Sequence, residues 1–267
     1  MKTIVIPDVH NRVSRVDSML KKLKFDHVVF LGDFFDEYGD NANTASMTAR
    51  AVKRWIETYG DRATFLFGNH DLSYAFPNNA FVECPGSTPA KVKAVKAVLK
   101  REHWDKFRFH TKVEGFHLTH AGMHQKIFEH PIHGMSDKWI AKCCAEALGA
   151  CRANASSPYL SWGADRGGYE PYSGLVWLHW GTFTPIEGIH QIVGHTYTPK
   201  PAIKVMGKKI IPADQYGISL GGVKFRAADE SSFNCCLDTM DSRCYGIIED
   251  GTFSYKHSPR YVYGGTL

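Results

Sequence analysis

The 267-residue sequence is notable first for what it lacks. No run approaches the ~18 apolar residues needed to cross a bilayer. The opening MKTIVIPD offers one lysine and a four-residue apolar stretch, too short for a secretory leader core. A protein that stays in the cytoplasm, or in a host cytoplasm if the source is viral, is therefore expected, with no membrane partner. Seven cysteines occur, two pairs of them adjacent (Cys143-Cys144 and Cys235-Cys236), and no spacing matches a zinc knuckle or a disulfide framework. They read as buried free thiols. Internal repeats, low-complexity tracts and a clear linker are also missing. One domain over residues 1–267 is expected, with a loop-rich insertion around 123–187 where Gly, Ser, Pro, Tyr and Trp crowd together.

Charge is weakly one-sided, at +5. The densest basic stretch, KVKAVKAVLKRE (91–102), reads as the solvated face of an amphipathic helix. No nucleic-acid motif accompanies it, so no stable nucleic-acid partner is expected.

What is present is a β-α-β-α-β opening. TIVI (3–6), HVVFL (27–31) and ATFLF (63–67) read as buried strands, separated by helical spacing over 15–23 and 43–59, with Asn43 as the second helix's cap. That order implies parallel strands covered by helices. Further on, 89–101 and 136–148 read as helices and 106–113, 116–122 and 190–196 as strands. A hairpin over 202–214 turns near Gly207, and strands at 233–239 and 244–257 follow, with a turn at Asp250-Gly251.

Histidine is plentiful, at fourteen. Several lie where strands end: Asp8-Val9-His10, Gly32-Asp33-Phe34-Phe35-Asp36, Gly68-Asn69-His70-Asp71, Thr119-His120-Ala121-Gly122 and Gly194-His195-Thr196. In open α/β sheets, ligands gather at the carboxyl ends of strands. Oxygen and imidazole donors without cysteine suit divalent manganese, iron or zinc. A shared carboxylate can join two such ions ~3.5–4 Å apart, as in two-metal hydrolytic sites.

The ordered series D-x-H, G-D-x-x-D, G-N-H-D, H-A-G and G-H-T resembles the calcineurin-like metallophosphoesterase superfamily, from residue 3 to about 250. The resemblance implies an α/β (α+β) four-layer fold, a β-sandwich flanked by helices, and two divalent metal ions, manganese first with iron or zinc as alternatives. By position, Asp8 and His10 would hold one ion, Asp33 would bridge, and Asn69, His120 and His195 would hold the other. His70, oriented by Asp36, would be the general acid, with metal-bound hydroxide attacking phosphorus. Many relatives carry a second histidine where Tyr197 stands. Its absence is similar to the branch of phosphoprotein phosphatases and dinucleoside tetraphosphatases. That branch has an arginine where Glu37 stands, and a carboxylate there repels a phosphate dianion. Arg12 or Arg166 is expected to supply the charge, with His179 as a further substrate contact.

The resulting expectation is a phosphatase acting on a phosphorylated small molecule, nucleotide or phosphoprotein, of undetermined oligomeric state. A phosphodiesterase or a nucleotide or dinucleoside polyphosphate hydrolase is the alternative, and a non-catalytic metal-binding scaffold is the reading from a different class. Asp71 reads as a turn or helix-start acceptor, His117 as filler, and Trp162, Trp177 and Trp180 as core.

Overall fold

The computed structural model describes residues 1–129, 134–206, 225–226, 232–239 and 243–257. The first half alternates as β1 (Thr3–Ile6), α1 (Val13–Lys22), β2 (His27–Phe30), α2 (Ala42–Tyr59), β3 (Ala63–Leu66), α3 (Asn69–Ala75), α4 (Pro89–Val98), α5 (Arg101–Trp104) and β4 (Phe107–Arg108). Then come β5 (His110–Val113), β6 (Phe116–Thr119), α6 (Gln125–Phe128), α7 (Asp137–Ala153), β7 (His190–Val193), β8 (Ala202–Val205), β9 (Phe225–Arg226), β10 (Phe233–Cys236), β11 (Cys244–Glu249) and β12 (Thr252–His257). No helix among the described residues is long and apolar enough to cross a membrane.

Two sheets form. Seven strands run in the order β4-β3-β2-β1-β11-β12-β9, and five in the order β5-β6-β7-β10-β8. β1 to β4 are parallel, as the β-α-β spacing requires. Period-two alternation assigns the faces. Ile4, Ile6, Val28, Phe30, Phe65 and Phe67 face the helices. Val5, Val29, Leu31 and Leu66 meet Phe116, Leu118, Ile192 and Phe233 of the other sheet. This is the expected mixed α/β sandwich with helical cover. The outer face of the five-stranded sheet is packed by Leu178, Trp180 and Phe183 from an irregular segment. On the helical side, Phe30 stacks between Phe65 at 5.0 Å and Trp55 at 5.2 Å. Burying each such ring contributes about 1.5–3 kcal/mol.

Several local expectations shift. The stretch 106–113 is not one strand: β4 joins the large sheet and β5 the small one, so the chain changes sheets at Phe109. The helix expected over 89–101 breaks after Val98 and resumes at Arg101. The cap of α2 is Asn41, which accepts from the Asn43 and Thr44 amides at 2.9 and 3.2 Å. Helix α7 starts after Ser136 as expected, but it passes through Gly149 and ends at Asn154 in the left-handed region. Of the hairpin expected over 202–214, residues 202–205 form β8, while 207–214 lie outside the described residues. β11 and β12 form a hairpin closed by Asp250 and Gly251, both with positive φ.

Candidate metal centre

The carboxyl ends of β1, β2, β3, β6 and β7 converge. Asp8, His10 and Asp33 form one group and Asp33, His120 and His195 another, each with potential ligand atoms within 4.8 Å of one another. Asp33 belongs to both. Its Oδ1 accepts from the His70 amide at 3.0 Å. Its Oδ2 lies 3.7 Å from His10 Nε2 and 3.4 Å from His120 Nε2. One oxygen is thus pinned by backbone and the other faces both groups.

The backbone is bent to make this possible. Among the described residues, His10 (φ +40°), Asp33 (+49°), Asp36 (+62°) and His195 (+68°) all occupy the left-handed region. Such residues cost about 1–3 kcal/mol each and gather at functional sites. Two motif glycines are explained by close approach. A Cβ on Gly68 would lie 2.1 Å from Asp33 Oδ1, and one on Gly194 would lie 2.1 Å from Asp8 Oδ1. Asp71 does act as a turn acceptor. It takes the amides of Gly68, Asp33 and Phe34, each at 2.8 Å, and so ties the β2 and β3 loops together.

Two of the three imidazoles are aimed by the far nitrogen. His10 Nδ1 donates to Asp36 O at 2.7 Å, and His120 Nδ1 to Leu31 O at 2.9 Å, leaving each Nε2 toward the centre. Asp8 accepts from the His195 amide at 3.0 Å. Asn69 Oδ1 meets His120 Nε2 at 3.0 Å. Turned over, the Asn69 amide nitrogen would donate to His120 Nε2 and His195 Nδ1 at 3.0 Å and to Asp33 Oδ2 at 3.3 Å. Oxygen inward suits a cation, and nitrogen inward suits a cation-free cluster.

The electrostatics express the same demand for positive charge. Burial alone would raise Asp33, but His120, His70 and His10 hold it well below the usual carboxylate range. Burial opposes protonation of His120, yet Asp33 and Asp8 push it up to about 9. Burial, His120 and Arg166 hold His195 well down. Burial and the Asp33 charge raise Asp8, against the pull of His120 and His10. Two carboxylates, an amide oxygen and three imidazoles, with His195 Nε2 buried and unpartnered, fit a pair of divalent cations.

Beside the cluster, His70 Nδ1 and Asp36 Oδ2 are 3.0 Å apart. Burial works against protonating His70, but Asp33 and Asp36 drive it up to about 12. Asp36 Oδ1 also accepts from Tyr74 Oη at 2.5 Å and Lys91 Nζ at 3.0 Å. Lys91 also pairs with Asp40. Arg166 donates through Nε to Trp177 O at 3.3 Å, and the Trp177 ring lies edge-on to His195 at 5.9 Å. Arg12 instead pairs with Glu37, so the two charges that the sequence sets in question meet each other. His179 bonds within its own loop, its Nδ1 accepting from Gly181 at 3.1 Å, and none of its hydrogen bonds reaches the cluster.

Sequence reasoning missed Lys91, Tyr74 and Asp238. Lys93, Lys96 and Lys100 are exposed as expected of the basic stretch, but Lys91 is 5% exposed. The signal was its spacing: Lys91, Val95 and Leu99 share one buried face. Tyr74 sits one helical turn after His70, so both reach Asp36. Trp180 is core, whereas Trp162 is 39% exposed and packs on Trp177 at 5.0 Å.

This is the strand-end centre of a two-sheet hydrolase fold. The chain belongs to the calcineurin-like phosphoesterase family, whose model matches residues 1–198, and so to hydrolases acting on phosphate esters. A cold-active protein-tyrosine phosphatase of the psychrophile Shewanella sp. is similar at 16% identity, with 94% of this chain and 76% of that chain covered and a TM-score of 0.50. A point mutant of a cold-active protein tyrosine phosphatase, also at 16% identity and with the same coverage of each chain (94% and 76%), gives 0.53. A metallophosphoesterase from Sphaerobacter thermophilus, at 14% identity with 97% and 89% covered, gives 0.48. These likenesses are of fold alone. No curated protein sequence matches the chain.

Proposed function

We propose that this protein is a dinuclear-metal phosphatase of phosphate monoesters, folded as one domain, with manganese as its working ion. The observation that carries the reading is the shared Asp33, which stands in two donor groups at once. Asp8 and His10 would hold one cation and Asn69, His120 and His195 the other, with Asp33 shared between the two donor groups. When bound, the pair supplies Lewis-acid polarisation of the phosphoryl group and activation of water near neutral pH. His70, held by Asp36, donates a proton to the leaving oxygen. Arg166 reaches the phosphate from the His195 side, where its charge already acts. Arg12 balances Glu37, which softens the repulsion that Glu37 alone would exert on a dianion.

The test is turnover of p-nitrophenyl phosphate and bis-p-nitrophenyl phosphate by stripped and manganese-loaded protein. Metal-dependent hydrolysis with the monoester preferred is expected. A diester preference would move the assignment to a phosphodiesterase, and inert metal-loaded protein would leave a metal-binding scaffold.

A further inference from the structure

Asp238 follows β10, which lies parallel to β7 in the small sheet, so its chain end opens toward the same edge as His195. It lies outside the span matched by the family model. The residue is 1% exposed, and both carboxylate oxygens are buried without a hydrogen-bond partner. Its backbone is engaged instead, the carbonyl accepting from Thr198 N at 3.1 Å and Thr198 Oγ1 at 2.8 Å. Those bonds fix the loop that carries His195 and leave the carboxyl group unanswered.

A buried carboxylate with neither donor nor cation is among the costliest arrangements in a protein interior. Here the surroundings make matters worse. Burial comes first, and then the charges of Asp8 and Asp33 push the carboxyl up to about 10. The basic group acting in its favour is Arg12, which is already paired with Glu37. Cys236, two residues back, turns its thiol to Gly194 O and Thr196 O and offers nothing to the carboxyl.

The adjacent donor group has the complementary shortfall. Asp8, His10 and Asp33 supply three side chains, whereas oxygen-rich divalent sites commonly take about six donors and fill the remainder with water. Those waters present hydrogens outward and need acceptors. Asp238 belongs to neither set of atoms lying within 4.8 Å of one another, yet the charges that act on it most are those of Asp8 and Asp33, two members of the first set.

We infer that Asp238 is an outer carboxylate of the Asp8–His10–Asp33 cation position, accepting hydrogen bonds from the water that completes that ion's shell. The inference rests on the two-cation reading above. It makes Asp238 a positioning residue, one that raises affinity at one of the two positions and costs stability when no ion is there. Loss of such an outer-shell partner typically weakens metal affinity about 10–100-fold.

The test compares wild type with Asp238→Asn, which keeps the shape and removes the charge. Manganese binding is measured by calorimetry with elemental analysis, and melting temperature is measured on chelator-stripped protein. Wild type is expected to hold two ions. The variant should weaken one of the two by about 10–100-fold, and its stripped form should melt higher than stripped wild type. A side chain with a merely structural role would lower that melting temperature. Wild-type affinity at both positions in the variant would overturn the inference alone. A wild type that binds no manganese would overturn it together with the two-cation reading. A variant that fails to fold would also overturn it, because relief of the metal-free protein is part of the claim. Asp238→Ser, which leaves room for water, should repeat the pattern.

Discussion

The two sheets bring different chemistry to the same edge. The large sheet delivers the carboxylates, with Asp8 and the imidazole of His10 after β1, Asp33 after β2 and the amide of Asn69 after β3. The small sheet delivers imidazoles, with His120 after β6 and His195 after β7. The Asp8–His10–Asp33 group is the large sheet's own, whereas the group of Asp33, His120 and His195 needs both sheets, so neither sheet alone makes the whole centre. The interlayer core of Val5, Val29 and Leu66 against Leu118, Ile192 and Phe233 is what holds the two halves in register. His10 and Asp238 cross the division between carboxylates and imidazoles, and Asp238, a carboxylate from the small sheet, has both its oxygens buried without a partner.

The contrast breaks hardest at its meeting point. Asp33→Asn removes the group common to both donor sets. Both ions should be lost, and phosphatase activity should fall by roughly 10⁴-fold or more, the scale for a member of a cooperating set. Elemental analysis and steady-state rates check this, and a metal-loaded, active variant would dissolve the comparison. His70→Ala lies outside both groups. It should retain its metal and lose about 10²–10³-fold in rate, most for substrates with poor leaving groups. An equal loss for good and poor leaving groups would remove the acid role.

A third change probes support on the large-sheet side alone. Lys91→Met leaves Asp36 and Asp40 without their buried ammonium, at a cost of about 3 kcal/mol. Denaturant unfolding measures that. Activity should drop about tenfold with metal content intact, since Asp36 still holds His70 and Tyr74.

Much of this centre was legible because its parts are short and contiguous. A strand and the polar ligand that follows it can be read within a handful of residues, and that punctuation recurs five times, with a glycine just ahead of the ligand in three of them. The alternation of β1, β2 and β3 likewise announces two buried faces. What stayed hidden depends on contacts across the chain. Lys91 is 55 residues from Asp36, and Arg12 is 25 from Glu37. The change of sheet between β4 and β5 leaves no local mark, because Phe107, Phe109 and Val113 are buried on either course. Residues 158–186, rich in Gly and aromatics, showed no period at all, since they form loops and short turns whose places are set by the sheet beneath them.

The mildest perturbation changes no residue and asks how the acid and base sides share protons when no cation is present. His120 is held at about 9 in the fold against 6.5 in an unfolded chain. Its stabilising contribution is therefore complete below 6.5 and disappears as pH climbs through 9. Asp238 is raised from 3.8 to about 10, so its carboxyl costs the fold more at each step upward across that interval. The two slopes have the same sign. Asp33 is lowered, and its contribution is present above 3.8 and lost only on strong acidification. His195 is lowered too, so any penalty for keeping it neutral has vanished once pH exceeds 6.5. Each slope approaches about 1.4 kcal/mol per pH unit, so stripped protein should lose several kcal/mol between pH 6.5 and 9, a fall of roughly 10 °C or more in melting temperature. Metal-loaded protein should run the other way over the same range, because binding requires the ligands deprotonated. Thermal melts of the two forms in matched buffers read the difference directly. Parallel slopes would mean that the imidazoles of the small sheet are not answering the carboxylates of the large one.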